Sequence, residues 1–173
     1  MKKLLFVFYF FALQVGAQDS TPTTLPLVTL EGQTGGRLDG TSWNSNEIKD
    51  KITVLFYVDP DEKDLNEPTA ELLKIEKFPL EKYASIGVIN MAATWLPNFA
   101  IENSLKQKLK KFSDTLYLRD LKKVLVKEWG LKDDSSNILL FDKSGKLVYK
   151  IMGKAKPEES QKLITLIKDM LNK

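Results

Sequence analysis

The feature that most limits the possible folds is an unbroken apolar run, Ile52–Val58, followed at once by the acidic residues Asp59-Pro60-Asp61-Glu62. A run of this length, rich in Val, Ile, Phe and Tyr, is typical of a strand that is buried on both faces. A helix-start pattern follows the acidic residues, so we expect this loop to lie at the carboxyl end of a central strand. Open α/β sheets place their working residues at that end.

The rest of the chain alternates between short apolar segments and amphipathic segments. The pattern predicts strands at residues 27–30, 85–90 and 115–118, and a hairpin of 138–141 with 147–151. It predicts helices that begin near Asn66, Pro97, Asp120 and Pro157. Strands separated by helices, then a hairpin and a closing helix, indicate an α/β fold with a central mixed sheet.

Cys and His are both absent from the 173 residues. This excludes a disulfide framework, a thiolate nucleophile, a Cys/His zinc site and a His-based catalytic triad. The net charge of +3 at pH 7 falls to +1 once Lys2 and Lys3 are removed, which argues against nucleic acid as an electrostatic partner.

The first residues have the pattern of a secretory signal peptide. Lys2-Lys3 is basic, Leu4–Leu13 is apolar, and Val15-Gly16-Ala17 supplies the small residues that a signal peptidase reads. The apolar core is shorter than the about 20 residues of a membrane-spanning helix. We therefore expect a signal peptide at 1–17, a flexible leader at 18–26 and a single periplasmic domain at 27–173, with no integral membrane segment.

Short motifs along the chain resemble the YtfJ family of exported, cysteine-poor thioredoxin-fold proteins. The matching motifs include Trp43-Asn44-Ser45, Phe78-Pro79, Ile89-Asn90, Trp129-Gly130-Leu131 and Asp142-Lys143-Ser144-Gly145. The resemblance implies a thioredoxin-like three-layer fold with a central mixed sheet, a C-terminal β-hairpin and a closing helix, and an exported location, but no established activity. Related thioredoxin-like domains carry cysteine after the first long strand. Here the matching positions, Asp59 to Leu65, hold carboxylates and Lys63.

Two groups of side chains are candidate binding residues. The first is the pair Asp59 and Asp61 in the acidic loop, and the second is the aromatic set Trp43, Tyr57 and Trp95. Trp95 follows a strand and could form the wall of a groove beside Asp59, and Trp is a favoured binding anchor. Alternatively, the aromatic residues belong to the core, and the carboxylates form a solvated turn that favours the next helix's N-terminus.

The leading interpretation is a non-catalytic exported domain that binds a peptide or protein partner and uses no cofactor. The alternative is a metal-dependent hydrolytic enzyme with Asp59, Asp61 and Asp64 as ligands or acids, because closely spaced carboxylates bind Ca²⁺ or Mg²⁺. This loop lacks the Gly and the distal Glu of a calcium loop, and whether it binds metal stays open. Two lysine-rich helices form either solvated faces or a local surface for an anionic partner.

Overall fold

The computed structural model describes residues 22–94 and 98–172. The strands of its main sheet are β2 (Gly35–Arg37), β4 (Ile52–Val58), β5 (Tyr83–Asn90), β6 (Thr115–Asp120), β7 (Ser136–Phe141) and β8 (Leu147–Met152). They are ordered β2-β6-β5-β4-β7-β8, with β4, β5 and β6 parallel and the outer pairings antiparallel. A separate two-stranded sheet pairs β1 (Thr29–Leu30) with β3 (Trp43–Asn44).

The helices are α1 (Glu67–Glu76), α2 (Asn98–Lys111), α3 (Val124–Trp129) and α4 (Pro157–Leu171). Buried side chains of α1 and α4 pack on one face of the main sheet, and those of α3 pack on the other face with the segment around β1 and β3. The predicted three-layer arrangement, with a C-terminal hairpin and a closing helix, is therefore confirmed.

The central strand β4 is buried on both faces, as its composition predicts. Ile52 and Val54 contact the layer of α1 and α4, whereas Leu55 and Tyr57 contact the layer of α3. This alternation places the acidic loop, which follows directly, at the carboxyl edge of the sheet.

The edge strand β2 falls in a glycine-rich segment whose composition predicts turns. It pairs Gly35 with Asp120 at the end of β6. Gly35 has a φ of 136°, and a Cβ atom there would lie 1.9 Å from the carbonyl oxygen of Arg119. Glycine at position 35 allows the two backbones to pair closely. Because backbone atoms make this pairing, β2 has no hydrophobic pattern in the sequence.

Residues 22–26, part of the segment predicted to be a flexible leader, are attached to the domain. Thr23 and Leu147 exchange two backbone hydrogen bonds of 2.8 Å. The Trp129 indole donates to the carbonyl oxygen of Pro26 at 2.8 Å, and Leu25 packs against the core. The predicted signal peptide, 1–17, lies outside the described residues. Within the described parts of the chain, no helix has the length and apolar character to cross a membrane.

Candidate functional site at the carboxyl edge of the sheet

The three parallel strands end side by side, and a polar residue stands at each end. Asp59 follows β4, Asn90 ends β5 and Asp120 ends β6, with Asn90 and Asp120 directly paired in register. Their exposed fractions are 2%, 1% and 0%. Buried polar groups need partners, so their contacts decide what this edge can do. We define the carboxyl-edge cluster as Tyr57, Asp59, Asn90, Asp120, Lys123 and Asp133.

Asp120 is satisfied by four hydrogen bonds. Its carboxylate accepts from the Tyr57 hydroxyl at 3.1 Å and from the backbone amides of Lys122, Val124 and Leu125 at 3.1, 2.9 and 3.0 Å. Val124 and Leu125 begin α3, so Asp120 holds the first turn of that helix, whereas the N-cap position itself is Lys123. Burial, followed by the charge of Asp120, raises the pKa of Tyr57, and the hydroxyl stays protonated as a donor. The hydrogen bond between Tyr57 and Asp120 is structural, and it leaves neither side chain available as a free acid or base.

Asp59 is held between the acidic loop and the start of β7. Its carboxylate accepts from the backbone amide of Asp61 at 2.9 Å, and its own amide donates to the carbonyl oxygen of Ser135 at 2.9 Å. Burial raises the pKa of Asp59; the Asp61 amide opposes this, and the carboxylates of Asp61, Asp134 and Asp133 add to it. A buried acid among other acids is costly to keep ionised.

Asn90, Asp133 and Lys123 form a second network across the same edge. Asn90 donates to Asp133 at 3.1 Å, and the Lys123 ammonium donates to the other oxygen of Asp133 at 2.6 Å. The hydrogen bond from Lys123 lowers the pKa of Asp133. The side-chain carbonyl oxygen of Asn90 has no hydrogen-bond partner within the described residues. One buried acceptor at this edge is therefore unused.

The other carboxylates of the acidic loop do not converge with Asp59. Asp61 is exposed, and Asp64 pairs with Lys63 at 2.6 Å and with Lys108 of α2 at 3.3 Å. The hydrogen bonds from Lys63 and Lys108 lower the pKa of Asp64 to about 2, with burial opposing them. In the described ranges, no group of three or more Asp, Glu, His or Cys residues is placed to hold a metal ion.

The predicted aromatic residues occupy different environments. Trp43 is completely buried in the core on the α3 side of the sheet, and Tyr57 is 1% exposed behind the acidic loop. Trp95 lies outside the described residues. The structure thus brings Tyr57, Asp59 and Asp61 to one edge, while Trp43 has no exposed surface for a ligand. The roles of these residues as binding contacts stay predictions.

Asn66 stands at the N-cap position of α1, as predicted, but its side chain makes no capping bond to that helix. Its amide group donates to the Ser136 carbonyl and hydroxyl oxygens at 3.3 and 3.0 Å and to the Gly153 carbonyl oxygen at 2.9 Å. Its side-chain oxygen accepts from the amide of Ala155 at 2.8 Å. Asn66 therefore joins the acidic loop to the end of the hairpin and fixes that side of the edge.

The sequence pattern did not single out Asn90, Lys123 or Asp133 as partners, because they are separated by long stretches of chain. One signal was present for Asn90 and Asp120. Each is the last residue of a strand parallel to its neighbour, and the carboxyl ends of such strands meet. Lys123 and Asp133 lie in loops, and nothing in their local sequence indicates that they pair.

Comparison with known proteins places the chain in a family. The profile described as "Bacterial protein of unknown function (YtfJ_HI0045)" matches residues 33–170. The chain belongs to the YtfJ family. It is 25% identical over 134 residues to the uncharacterized protein YtfJ of Escherichia coli K12, a match that covers 75% of this chain and 72% of the relative.

Solved structures show the same fold at low identity. An uncharacterized thioredoxin-like protein from Porphyromonas gingivalis superposes with a TM-score of 0.63 and 14% identity, over 86% of this chain and 92% of that one. The exposed lipoprotein thioredoxin Etrx1 of Streptococcus pneumoniae gives 0.57 and 17%, over 83% and 99%. This YtfJ-family chain is thus a thioredoxin-like protein without cysteine, and identities this low show the fold alone.

Proposed function

We propose that this YtfJ-family protein is an exported, non-catalytic binding domain that holds a peptide or protein partner at the carboxyl edge of its sheet. One observation carries the proposal: the protein's own hydrogen bonds hold the acids of the carboxyl-edge cluster. Asp120 is held by four donors, Asp133 by Lys123 and Asn90, and Asp59 by the Asp61 amide. These buried contacts hold the surface at this edge in one arrangement, which favours binding, and they leave no free nucleophile there.

The absence of thiol and imidazole groups supports a binding role over a redox role. The chain contains no Cys and no His, so it has no thiol for disulfide exchange and no imidazole for proton transfer. The metal-dependent alternative finds no support in the placement of Asp59, Asp61 and Asp64, since Asp64 is paired with lysines of the loop and of α2.

The surface around the cluster favours a partner with basic side chains. The Asp61 and Asp134 carboxylates are exposed, and Asp133 is half-exposed, whereas Lys123 supplies one cation already paired with Asp133. Leu121, the residue after Asp120, is 37% exposed and offers an apolar contact. Complementary charge at such a rim sets specificity and association rate more than affinity. A peptide that carries Lys or Arg together with an apolar side chain fits these features.

The proposed exported location rests on the N-terminal pattern and on a structural neighbour. Lys2-Lys3, the apolar Leu4–Leu13 and Val15-Gly16-Ala17 form the order of a signal peptide. The similar thioredoxin of Streptococcus pneumoniae is named as an exposed lipoprotein. A periplasmic location would place the binding surface among envelope proteins.

A peptide array tests the proposal directly. The chain from residue 18 onward is labelled and applied to an array of peptides drawn from envelope proteins. We expect it to bind peptides enriched in Lys, Arg and apolar residues. The variant Asp61→Asn/Asp134→Asn keeps the shapes of two exposed side chains and removes their charges, so the signal should fall several-fold.

The matched control is Glu81→Gln/Asp169→Asn, which removes the same number of charges from exposed positions on other parts of the surface. This control should bind as the unmodified chain does. The carboxyl edge is not the binding surface if no peptide on the array binds selectively. The same conclusion follows if the two double variants lose the same amount of binding signal.

A further inference from the structure

A cavity of about 490 Å³ lies between α1, α2 and the main sheet, on the face opposite to α3. Ligand pockets in proteins commonly have volumes of about 300–1,000 Å³. The floor of this interhelix cavity includes the alternate residues of β5 that face α2, from Tyr83 through Ser85 and Gly87 to Ile89. At about 3.3 Å per residue, that floor extends about 20 Å.

The floor of the cavity carries two small residues of β5, Ser85 and Gly87. The Tyr117 ring of β6 packs over Gly87, since a Cβ atom on Gly87 would lie 3.0 Å from that ring. Glycine at this position therefore makes room for Tyr117, which lines the cavity beside Ser85.

Ion pairs hold α2 against α1 along the cavity. Lys108 and Lys111 of α2 both pair with Glu67, and Lys111 also pairs with Glu71. Leu109 of α2 is 37% exposed. Exposed and half-exposed ion pairs contribute little stability, so the seam between α1 and α2 can open at low cost to admit a ligand.

The walls beneath this seam are apolar. Leu73 of α1 and Ile101 of α2 are each 6% exposed, and Phe56 of β4 and Phe112 beyond α2 are partly buried against the same space. Burial raises the pKa of the Tyr117 hydroxyl to about 12, as expected for a phenol facing an environment of low polarity. A flexible alkyl chain suits such a lining.

The mouth of the cavity is basic. Five lysines line it, against two carboxylates, and they are Lys63, Lys74, Lys77, Lys108 and Lys111. Lys74 and Lys77 have no carboxylate partner within the described residues. The Lys74 ammonium lies 5.6 Å from the centre of the Phe112 ring, at the boundary between the charged mouth and the apolar wall. Unpaired cations beside an apolar cavity complement an anionic head group on an apolar tail.

We propose that the interhelix cavity binds a single-chain anionic amphiphile. Its alkyl chain lies along β5 over Ser85 and beside the Tyr117 ring, and its carboxylate or phosphate head group pairs with Lys74 and Lys77. None of the residues of the carboxyl-edge cluster lines this cavity, so the proposal does not depend on the peptide-binding role. It gives the chain a second ligand of a different chemical class.

Isothermal titration calorimetry with three probes of equal chain length tests the charge requirement. Dodecanoate and dodecyl phosphate should each bind at one site per chain, and the tighter of the two identifies the preferred head group. Dodecylammonium, which has the same tail and the opposite charge, should bind at least several-fold more weakly. A lack of saturable binding by both anions, or equal binding of dodecylammonium, would overturn the proposal.

Two sets of variants test the location. Ala70→Leu fills the cavity from α1 and should greatly weaken binding of the better anion, whereas Ala92→Leu, at an exposed turn outside the cavity, should leave binding unchanged. Circular dichroism verifies that both variants fold. Equal binding to Ala70→Leu and the unmodified chain would exclude this cavity as the site.

The charge variant Lys74→Gln/Lys77→Gln alters side chains at the mouth and leaves the apolar walls intact. It should weaken binding of the anion several-fold. The control Lys143→Gln/Lys154→Gln removes the same charge from exposed positions that do not line the cavity and should bind as the unmodified chain does. If the two double variants weaken binding equally, Lys74 and Lys77 do not bind the head group.

Discussion

Removal of the Asp120 carboxylate should destabilise the protein strongly, because this side chain is 0% exposed and accepts four hydrogen bonds. Asp120→Ala leaves the buried Tyr57 hydroxyl and the buried Leu125 amide without an acceptor. Each unsatisfied buried donor costs about 1–3 kcal/mol. The amides of Lys122 and Val124 are less buried and can bond to water.

The two unsatisfied donors together cost about 2–6 kcal/mol. The removal of a buried charge also relieves its desolvation, which favours the lower part of the range. We therefore expect Asp120→Ala to lower the free energy of unfolding by about 3–4 kcal/mol, a large share of the about 5–15 kcal/mol typical of natural proteins.

Tyr57→Phe provides the matched comparison, since it removes one donor and leaves Asp120 with three backbone amides. A hydrogen bond to a charged group contributes about 1.5–3 kcal/mol, so this variant should cost about that much. In the double variant Asp120→Ala/Tyr57→Phe there is no Tyr57 hydroxyl, so the loss of Asp120 leaves no hydroxyl unpaired. The two single costs should therefore exceed the cost of the double variant by at least about 1 kcal/mol.

Urea unfolding of the four proteins, followed by far-ultraviolet circular dichroism, measures these differences. Two results would refute the reasoning. One is a loss below about 1 kcal/mol for Asp120→Ala, which would mean that its hydrogen bonds are replaced by water. The other is strict additivity of the two substitutions, which would mean that Tyr57 and Asp120 do not interact.

Three further substitutions test other parts of the structure. Burial raises the folded-state pKa of Asp59 above 3.8, so the stability that Asp59 contributes is present below pH 3.8 and is lost as the pH rises through the folded-state pKa. Asp59→Asn should therefore raise the melting temperature at pH 7 but not in acid. An equal change in melting temperature at both pH values would contradict this. Asn66→Ala removes four hydrogen bonds and should lower the free energy of unfolding in urea by about 2–4 kcal/mol. A loss below about 1 kcal/mol would show that Asn66 does not fix the carboxyl edge of the sheet. Gly35→Ala places a methyl group 1.9 Å from the Arg119 carbonyl oxygen and should lower the free energy of unfolding by at least about 3 kcal/mol. The control Gly40→Ala, where φ is 88° and no atom lies near the Cβ position, should lower it by about 1–2 kcal/mol. Similar melting temperatures for the two variants would argue against the close pairing of β2.

The main elements of the fold were predictable because their sequence patterns match their burial. The unbroken run Ile52–Val58 indicates a strand buried on both faces, and the regularly spaced apolar residues after Pro157 indicate the closing helix. The edge strand β2 was not predictable in this way, since Gly35 pairs through its backbone and carries no side chain to show a pattern.

The candidate site was predictable only in part. Asp59 could be placed at the carboxyl edge because it follows β4 directly. Trp43 was predicted as a binding residue, yet it is fully buried, because an aromatic residue in a short strand looks the same in sequence whether it faces ligand or core. The pairing of Lys123 with Asp133 depends on the geometry of two loops, which no local pattern encodes.

The interhelix cavity has a counterpart in the sequence. Ser85 and Gly87 occupy alternate positions of β5 and so face the same side, where a core strand would present apolar side chains. Two small residues at a spacing of two in a buried strand indicate a hollow or a close approach on that face. The lysines at its mouth, in contrast, resemble an ordinary solvated helix surface.

The most direct test of the central claim is an NMR titration of the isotope-labelled chain with the peptide that binds most strongly on the array. The account predicts that backbone amide shifts change mainly at residues 59–62, 90–94, 120–123 and 132–135, where the carboxyl-edge cluster lies. Shifts confined to other surfaces, or no saturable shift at all, would contradict the claim that this edge is the binding surface.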